Sequence, residues 1–149
     1  MQSLCDAEGH GDYAVLFMDM DRFKVVNDTI GHRIGDSLLI GVAKRLNSVV
    51  SDQEVVARLG GDEFAIIVPR MEGHAQVEEL AKQIVEVVAE PFELDRHRIR
   101  TSVSIGIAIG PHDGNTADDL LVASDLALYA VKTGAVSYTH LTLPTKRIV

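Results

Sequence analysis

The sequence predicts one domain of the α/β (α+β) class, a mainly antiparallel central sheet flanked by helices. Strand-like apolar runs and amphipathic helical stretches follow one another in the order strand, two helices, hairpin, helix, strand, helix. The chain has 149 residues, a length suited to one hydrophobic core. Its composition, 46% hydrophobic and 24% charged, is that of an ordinary globular protein, with no internal repeat or linker to divide it.

Tyr13 to Met18 (YAVLFM) is a continuous apolar run ending at Asp19, the pattern of a central strand covered on both faces. Asp21 to Ile30 reads as a short helix, with Gly31 placed to stop it. A longer helix opens at Gly35-Asp36, and Leu39, Val42, Ala43, Leu46 and Val49 or Val50 form its buried face at helical spacing. Glu54 to Leu59 and Asp62 to Val68 are β-rich runs joined by Gly60-Gly61, a hairpin signal. Val77, Leu80, Ala81, Ile84 and Val88 define the next helix, which Pro91 ends. His97 to Gly110 reads as one strand. Its bulky Val103, Ile105, Ile107 and Ile109 alternate with Ser104, Gly106, Ala108 and Gly110, a face smooth enough for a helix to lie close. Thr116 and Asp119 resemble a capping box for a helix through Leu120, Ala123, Ala127 and Val131. From Gly134 onward no acidic residue occurs, no clear period is visible, and Pro144 interrupts a strand reading. Residues 134–149 are therefore expected to form a poorly ordered tail.

The bulk properties exclude some functions. A net charge of −8 does not suit a sequence-independent grip on nucleic acid. No apolar run is long enough to span a bilayer, and no basic-then-apolar leader pattern opens the chain. Cys5 is the single cysteine, so no intrachain disulfide can form and a reducing, cytoplasmic setting is the expectation. A phosphate-bearing small molecule fits, met by local cations or by a metal held on some of the 22 acids.

Two acids suggest where. Asp19 ends the first strand and Asp62 begins the strand after the glycine turn; if those strands are neighbours, the carboxylates meet at one edge of the sheet. Convergent carboxylates repel unless a cation lies between them, and hard oxygen ligands favour Mg²⁺ or Mn²⁺ with positions left for phosphate oxygens. Gly60 and Gly61, lacking β-carbons, let a bulky ligand approach the backbone. Taken singly, each feature is ordinary: a solvated turn, a strand end with Asp21 capping the next helix, a helix end at Asn27 to His32, solvated Lys24 and Lys132.

Their conjunction is not. The ordered stretches DMDRFKVVNDTIGHRIGD, RLGGDEF, TSVSIGIA and ASDLALYAVK resemble the GGDEF family of bacterial diguanylate cyclases over about Tyr13 to Lys132. The resemblance implies a fold similar to class III nucleotidyl cyclases and polymerase palm domains, and condensation of two GTP into cyclic di-GMP with release of two pyrophosphates. It implies two Mg²⁺ or Mn²⁺ ions held by Asp19, the Met20 carbonyl and Asp62, with Glu63 beside the second, and a base at Asp62 or else Glu63. Asn27 and Asp36 match guanine-binding residues, with His32 and Leu39 nearby. Backbone amides at Arg22 and Phe23, with Lys24, match the β- and γ-phosphate site, and Lys132 a further phosphate contact. One domain holds one GTP, so a homodimer is implied.

Three departures qualify the match. Met1 to Asp12 lacks the family's helix and turn upstream of the first strand, so residues 1–12 read as a remnant before a domain spanning 13–133, with a sensory or effector domain expected elsewhere in a parent protein. After Lys132 the chain runs Thr133-Gly134-Ala135-Val136, without the family's phosphate-contacting arginine. Ser51 to Glu54 stands where many members carry an inhibitory Arg-x-x-Asp motif, so no product inhibition is expected there. Two rival readings remain: a non-catalytic module binding GTP or a partner domain, and another nucleotidyl cyclase of this fold, against which Asn27 and Asp36 speak.

Overall fold

The structure, a computed structural model, describes residues 12–111, 113–114, 116–132 and 146–148. Residues 1–11 of the expected remnant 1–12 and most of the expected tail lie outside the described residues, as do the side chains of Val131 and Lys132, while Asp12 is the first residue of a strand. The elements are β1 (Asp12–Asp21), α1 (Phe23–Ile30), α2 (His32–Val49), β2 (Val55–Gly60), β3 (Glu63–Met71), α3 (His74–Ala89), β4 (Phe92–Leu94), β5 (His97–Ile99), β6 (Ser102–Gly110), α4 (Ala117–Lys132) and β7 (Lys146–Ile148). The main sheet has the order β2-β3-β1-β6-β7 with every described pair antiparallel, and β4-β5 forms a separate hairpin. No helix among the described residues is long and apolar enough to cross a membrane.

Strand alternation divides the sheet into two faces. Ala14, Leu16, Met18 and Met20 of β1 join Phe64, Ile66 and Val68 of β3 and Val103, Ile105, Ile107 and Ile109 of β6 in the main core. The buried stripes of α2 and α3 cover that face, the latter through Val77, Leu80, Ala81, Ile84 and Val88 as its periodicity predicts. Each fully buried side chain of this size contributes about 1.5–3 kcal/mol. On the other face Tyr13, Val15 and Ala108 pack with Leu120 and Ala123 of α4. The smooth stripe of β6 is what lets α4 approach. A β-carbon on Gly106 would lie 2.8 Å from the Leu128 amide nitrogen and inside contact distance of the Ser124 carbonyl oxygen. Thr116 Oγ1 accepts the Asp119 amide at 3.1 Å, the expected cap at the start of α4.

Several boundaries differ from the sequence reading, each for a local reason. Helix α1 begins at Phe23 because Arg22 sits in the left-handed region (φ 61°), and α2 begins one turn early, at His32, directly after Gly31. Strand β3 continues through Pro69 to Met71; Pro69 lies beyond the Val55–Ile67 rung that ends the pairing with β2, where no ladder bond is required of it. The run from His97 breaks at Arg100-Thr101, and its first part folds back on β4 through Asp95-Arg96, both at positive φ without glycine to announce the turn. Residues 146–148 form β7 beside β6, where the sequence reading had no strand; Pro144 precedes the pairing and so does not obstruct it.

The close approach at Gly106 generates a test. Gly106→Ala should destabilise the domain by roughly 1–3 kcal/mol through overpacking against α4, read as a lowered urea midpoint at unchanged slope. An unchanged midpoint would show that α4 is not seated on this glycine.

Candidate active site at the carboxylate edge

The site begins with a register. Asp19 on β1 stands directly opposite Glu63 on β3 and opposite Ser104 on β6. Paired residues share a face, so Asp19 and Glu63 project to the α4 side of the sheet near the end of β1. Both are half-buried, and Oδ1 of Asp19 is sealed from solvent. Two like charges on one rung destabilise a ladder unless something answers them.

Asp62 is half-buried in the turn just before Glu63. The two-residue turn is Gly61-Asp62 and not Gly60-Gly61, since Gly60 still pairs with Glu63 after a register shift past Arg58. That shift absorbs one residue and carries Gly60 to φ 150° and Gly61 to φ 49°, values that favour glycine. Arg58 Nε donates to the Gly61 carbonyl at 3.0 Å, and the Met20 amide donates to the Asp62 carbonyl at 3.2 Å, tying the turn to the end of β1. A β-carbon on either glycine would meet nothing within 4 Å, so the space over the turn is open. The Met20 side chain, 2% exposed, is committed to the core, leaving only its backbone for a ligand.

Beyond the strand end, α1 starts at Phe23 with no side-chain cap. The Arg22 carbonyl accepts the amides of Val25 and Val26, while the Phe23 and Lys24 amides belong to the first turn, which has no acceptor within the helix. Lys24 is exposed. One turn on, Asn27 reaches over α2. Gly35 leaves room for its amide, since a β-carbon there would fall 2.9 Å from Asn27 Cγ. Asn27 Oδ1 is buried and has no hydrogen-bond partner among the described residues, a cost that a ligand donor would remove. Asp36 follows Gly35 and is exposed, with His32 one turn earlier on the same side. Leu39 is 5% exposed and packs into the main core, so it backs this crevice as a wall.

The predicted residues thus fall into two groups, the carboxylate edge and the α1–α2 crevice, with α1 between them. Helix α4 runs along β1 toward the first group: Leu120 lies beside Gly114, which accepts the Tyr13 hydroxyl, and Leu128 lies beside Gly106, the rung partner of Phe17. Lys132 is its last residue, so its backbone ends toward Asp19, while its side chain is outside the described ones.

The sequence reading missed one set of supporting residues. Asp21 does not cap α1. Its carboxylate accepts the hydroxyls of Ser102 (2.7 Å) and Ser104 (2.8 Å), and its carbonyl accepts that of Thr101 (3.1 Å). The alternation Ser102-x-Ser104 gives no signal by itself; it meets an acid only through the β1–β6 register, which pairs Ser102 with Asp21 and Ser104 with Asp19.

Among the described residues no three His, Cys, Asp or Glu side chains stand together as a preformed metal cluster. The donors at the edge are nonetheless all oxygen: the Asp19, Asp62 and Glu63 carboxylates and the Met20 carbonyl. That set, with one carboxylate oxygen already desolvated, fits a hard divalent cation.

Comparison with known proteins gives the family. Residues 2–136 match the family model described as Diguanylate cyclase, GGDEF domain. The chain is 47% identical over 120 residues to the bifunctional diguanylate cyclase/cyclic di-GMP phosphodiesterase MucR of Pseudomonas aeruginosa, covering 80% of this chain and 17% of that protein. It is 38% identical over 128 residues to the cyclic di-GMP phosphodiesterase NbdA of the same organism, covering 86% of this chain and 16% of that one. The chain therefore spans about a sixth of the length of these curated relatives. Among solved structures, the crystal structure of the GGDEF domain of YfiN (TpbB) from P. aeruginosa superimposes with a TM-score of 0.84 at 39% identity, covering 88% of this chain and 83% of that one. The chain belongs to the diguanylate cyclase GGDEF-domain family.

Proposed function

We propose that this chain is a catalytic diguanylate cyclase domain, joining two GTP into cyclic di-GMP and releasing two pyrophosphates. The observation that carries the reading is the Asp19–Glu63 rung beside Asp62, a set of oxygen donors gathered at one edge of the sheet. When bound there, Mg²⁺ or Mn²⁺ would supply charge neutralisation at the α-phosphate and a more acidic ribose 3′-hydroxyl.

The chain's own residues do the rest. Asp36 accepts from the guanine N1–H and amino groups, and Asn27 Oδ1 takes a donor from the same edge; adenine lacks that pair of donors, so GTP is preferred over ATP. His32 and Leu39 bound the crevice. The amides of Arg22 and Phe23, with Lys24 and Lys132, hold the β- and γ-phosphates. Asp62, or Glu63 beside it, draws the proton from the 3′-hydroxyl. Each domain offers one guanine crevice, so two copies must face each other with sites apposed, as a homodimer. The regions of the longer relatives that this chain does not span are where sensory or effector domains belong, and a cytoplasmic GTP pool supplies the substrate.

The direct test is incubation of the purified chain with GTP and Mg²⁺ or Mn²⁺, with cyclic di-GMP resolved by chromatography. Product formation is expected; saturable GTP binding without product would favour the second reading, a non-catalytic module acting on a partner domain. The similarity to NbdA, whose name carries only the phosphodiesterase activity, is the observation that favours that alternative.

Two substitutions separate the roles. Asp62→Asn keeps the shape of the turn and removes a charged ligand, so product formation should fall by orders of magnitude while the melting temperature barely moves; near-parental turnover would remove Asp62 from the mechanism. Asp36→Ala should weaken GTP binding by about 1–3 kcal/mol and erode the preference over ATP. Competition binding that shows unchanged discrimination would refute the guanine assignment.

A further inference from the structure

A second concavity of about 440 Å³ adjoins the carboxylate edge, lined by Asp21, Arg22, Arg100, Thr101 and Ser102. It lies between the end of β1 and the start of β6, because Ser102 is the rung partner of Asp21. Asp21 lies two positions along β1 from Asp19, roughly 7 Å away on the same face. The concavity therefore opens beside the proposed metal edge and the first turn of α1.

Its charge is unusual for this molecule. The chain carries 22 acids against 14 lysines and arginines, yet two arginines line this one small space. Neither Arg22 nor Arg100 makes an ion pair among the described residues, whereas Arg33 and Arg98 do. The one acid in the lining is already engaged, with both oxygens of Asp21 accepting serine hydroxyls. Its orientation is fixed, and much of its capacity to pair with the arginines is spent. Thr101 bonds the Asp21 carbonyl, so the floor of the pocket is tied across two strands before any ligand arrives. Arg22, which also lines the space, is held at φ 61° at the entry to α1, a conformation few non-glycine residues adopt. Two permanently charged arginines beside a preorganised floor suit a phosphate-type anion.

We propose that Arg100, with Arg22, forms an anion subsite for the terminal phosphates of the nucleoside triphosphate and for the pyrophosphate that leaves. The proposal rests on the GTP-binding reading and adds Arg100 to it as a substrate-binding residue. It also supplies a cation near a site where Thr133-Gly134-Ala135-Val136, directly after Lys132, carries no arginine.

The test is titration calorimetry on the full chain without added metal, using inorganic pyrophosphate, GTP and GMP as separate ligands. Arg100→Gln should weaken pyrophosphate and GTP binding by about ten-fold or more and leave GMP unchanged, with Arg100→Lys intermediate. Arg100 is exposed, so the melting temperature should stay the same. Pyrophosphate affinity within a factor of two of the parent would overturn the proposal, as would absence of pyrophosphate binding by the parent chain. An equal loss for GMP, or a loss for pyrophosphate without one for GTP, would also overturn it. Failure of the cyclase reading shows separately, as a lack of cyclic di-GMP in an assay that these titrations do not use.

Discussion

The structure depends on β1 being paired on both sides. Its antiparallel registers with β3 and β6 fix which residues face α1–α3 and which face α4, and the same registers set Asp19 against Glu63 and Ser104. A slip of one residue in either pairing would turn the Leu16, Met18 and Met20 side chains out of the core and Asp19 into it. The core and the site are thus specified by one choice. Burial of the apolar alternation holds the register, and the register delivers the carboxylates.

Around this axis the local devices are inexpensive. The bulge past Arg58 and the Gly61-Asp62 turn lift a carboxylate off the sheet while the Met20–Asp62 bond keeps it near the strand end. The serines of β6 hold Asp21 and so keep the β1–α1 junction in place. Gly35 admits the Asn27 amide between two helices, leaving a buried acceptor that awaits a donor. Stability and readiness for ligand are opposed here. A buried acceptor without a partner among the described residues, Asn27 Oδ1, costs free energy that a ligand donor would offset.

The sequence made the layers legible because they rest on long, clean periodicities. The Val103-to-Ile109 alternation and the Val77-to-Val88 stripe left little choice of face. The short hairpin β4–β5 was not legible, since its turn uses Asp95-Arg96 where glycine or asparagine is the usual signal. Strand β7 was hidden as well, because three residues after a proline carry no period and gain their place from the edge of β6. Of the candidate site, Asp19, Asp62 and Asn27 are singled out by motif and position. The role of Ser102 and Ser104 is not, because a hydroxyl that steadies a carboxylate eighty residues away declares itself only once the register is known.

The central claim is that the Asp19 edge holds a divalent cation together with the nucleotide. Electron paramagnetic resonance of Mn²⁺ titrated into the chain with GTP reads this directly, comparing the parent with Asp19→Asn. Protein-bound Mn²⁺ that requires GTP in the parent, and is lost in Asp19→Asn without a change in melting temperature, is the expected result. Equal Mn²⁺ binding by the two proteins would contradict the account.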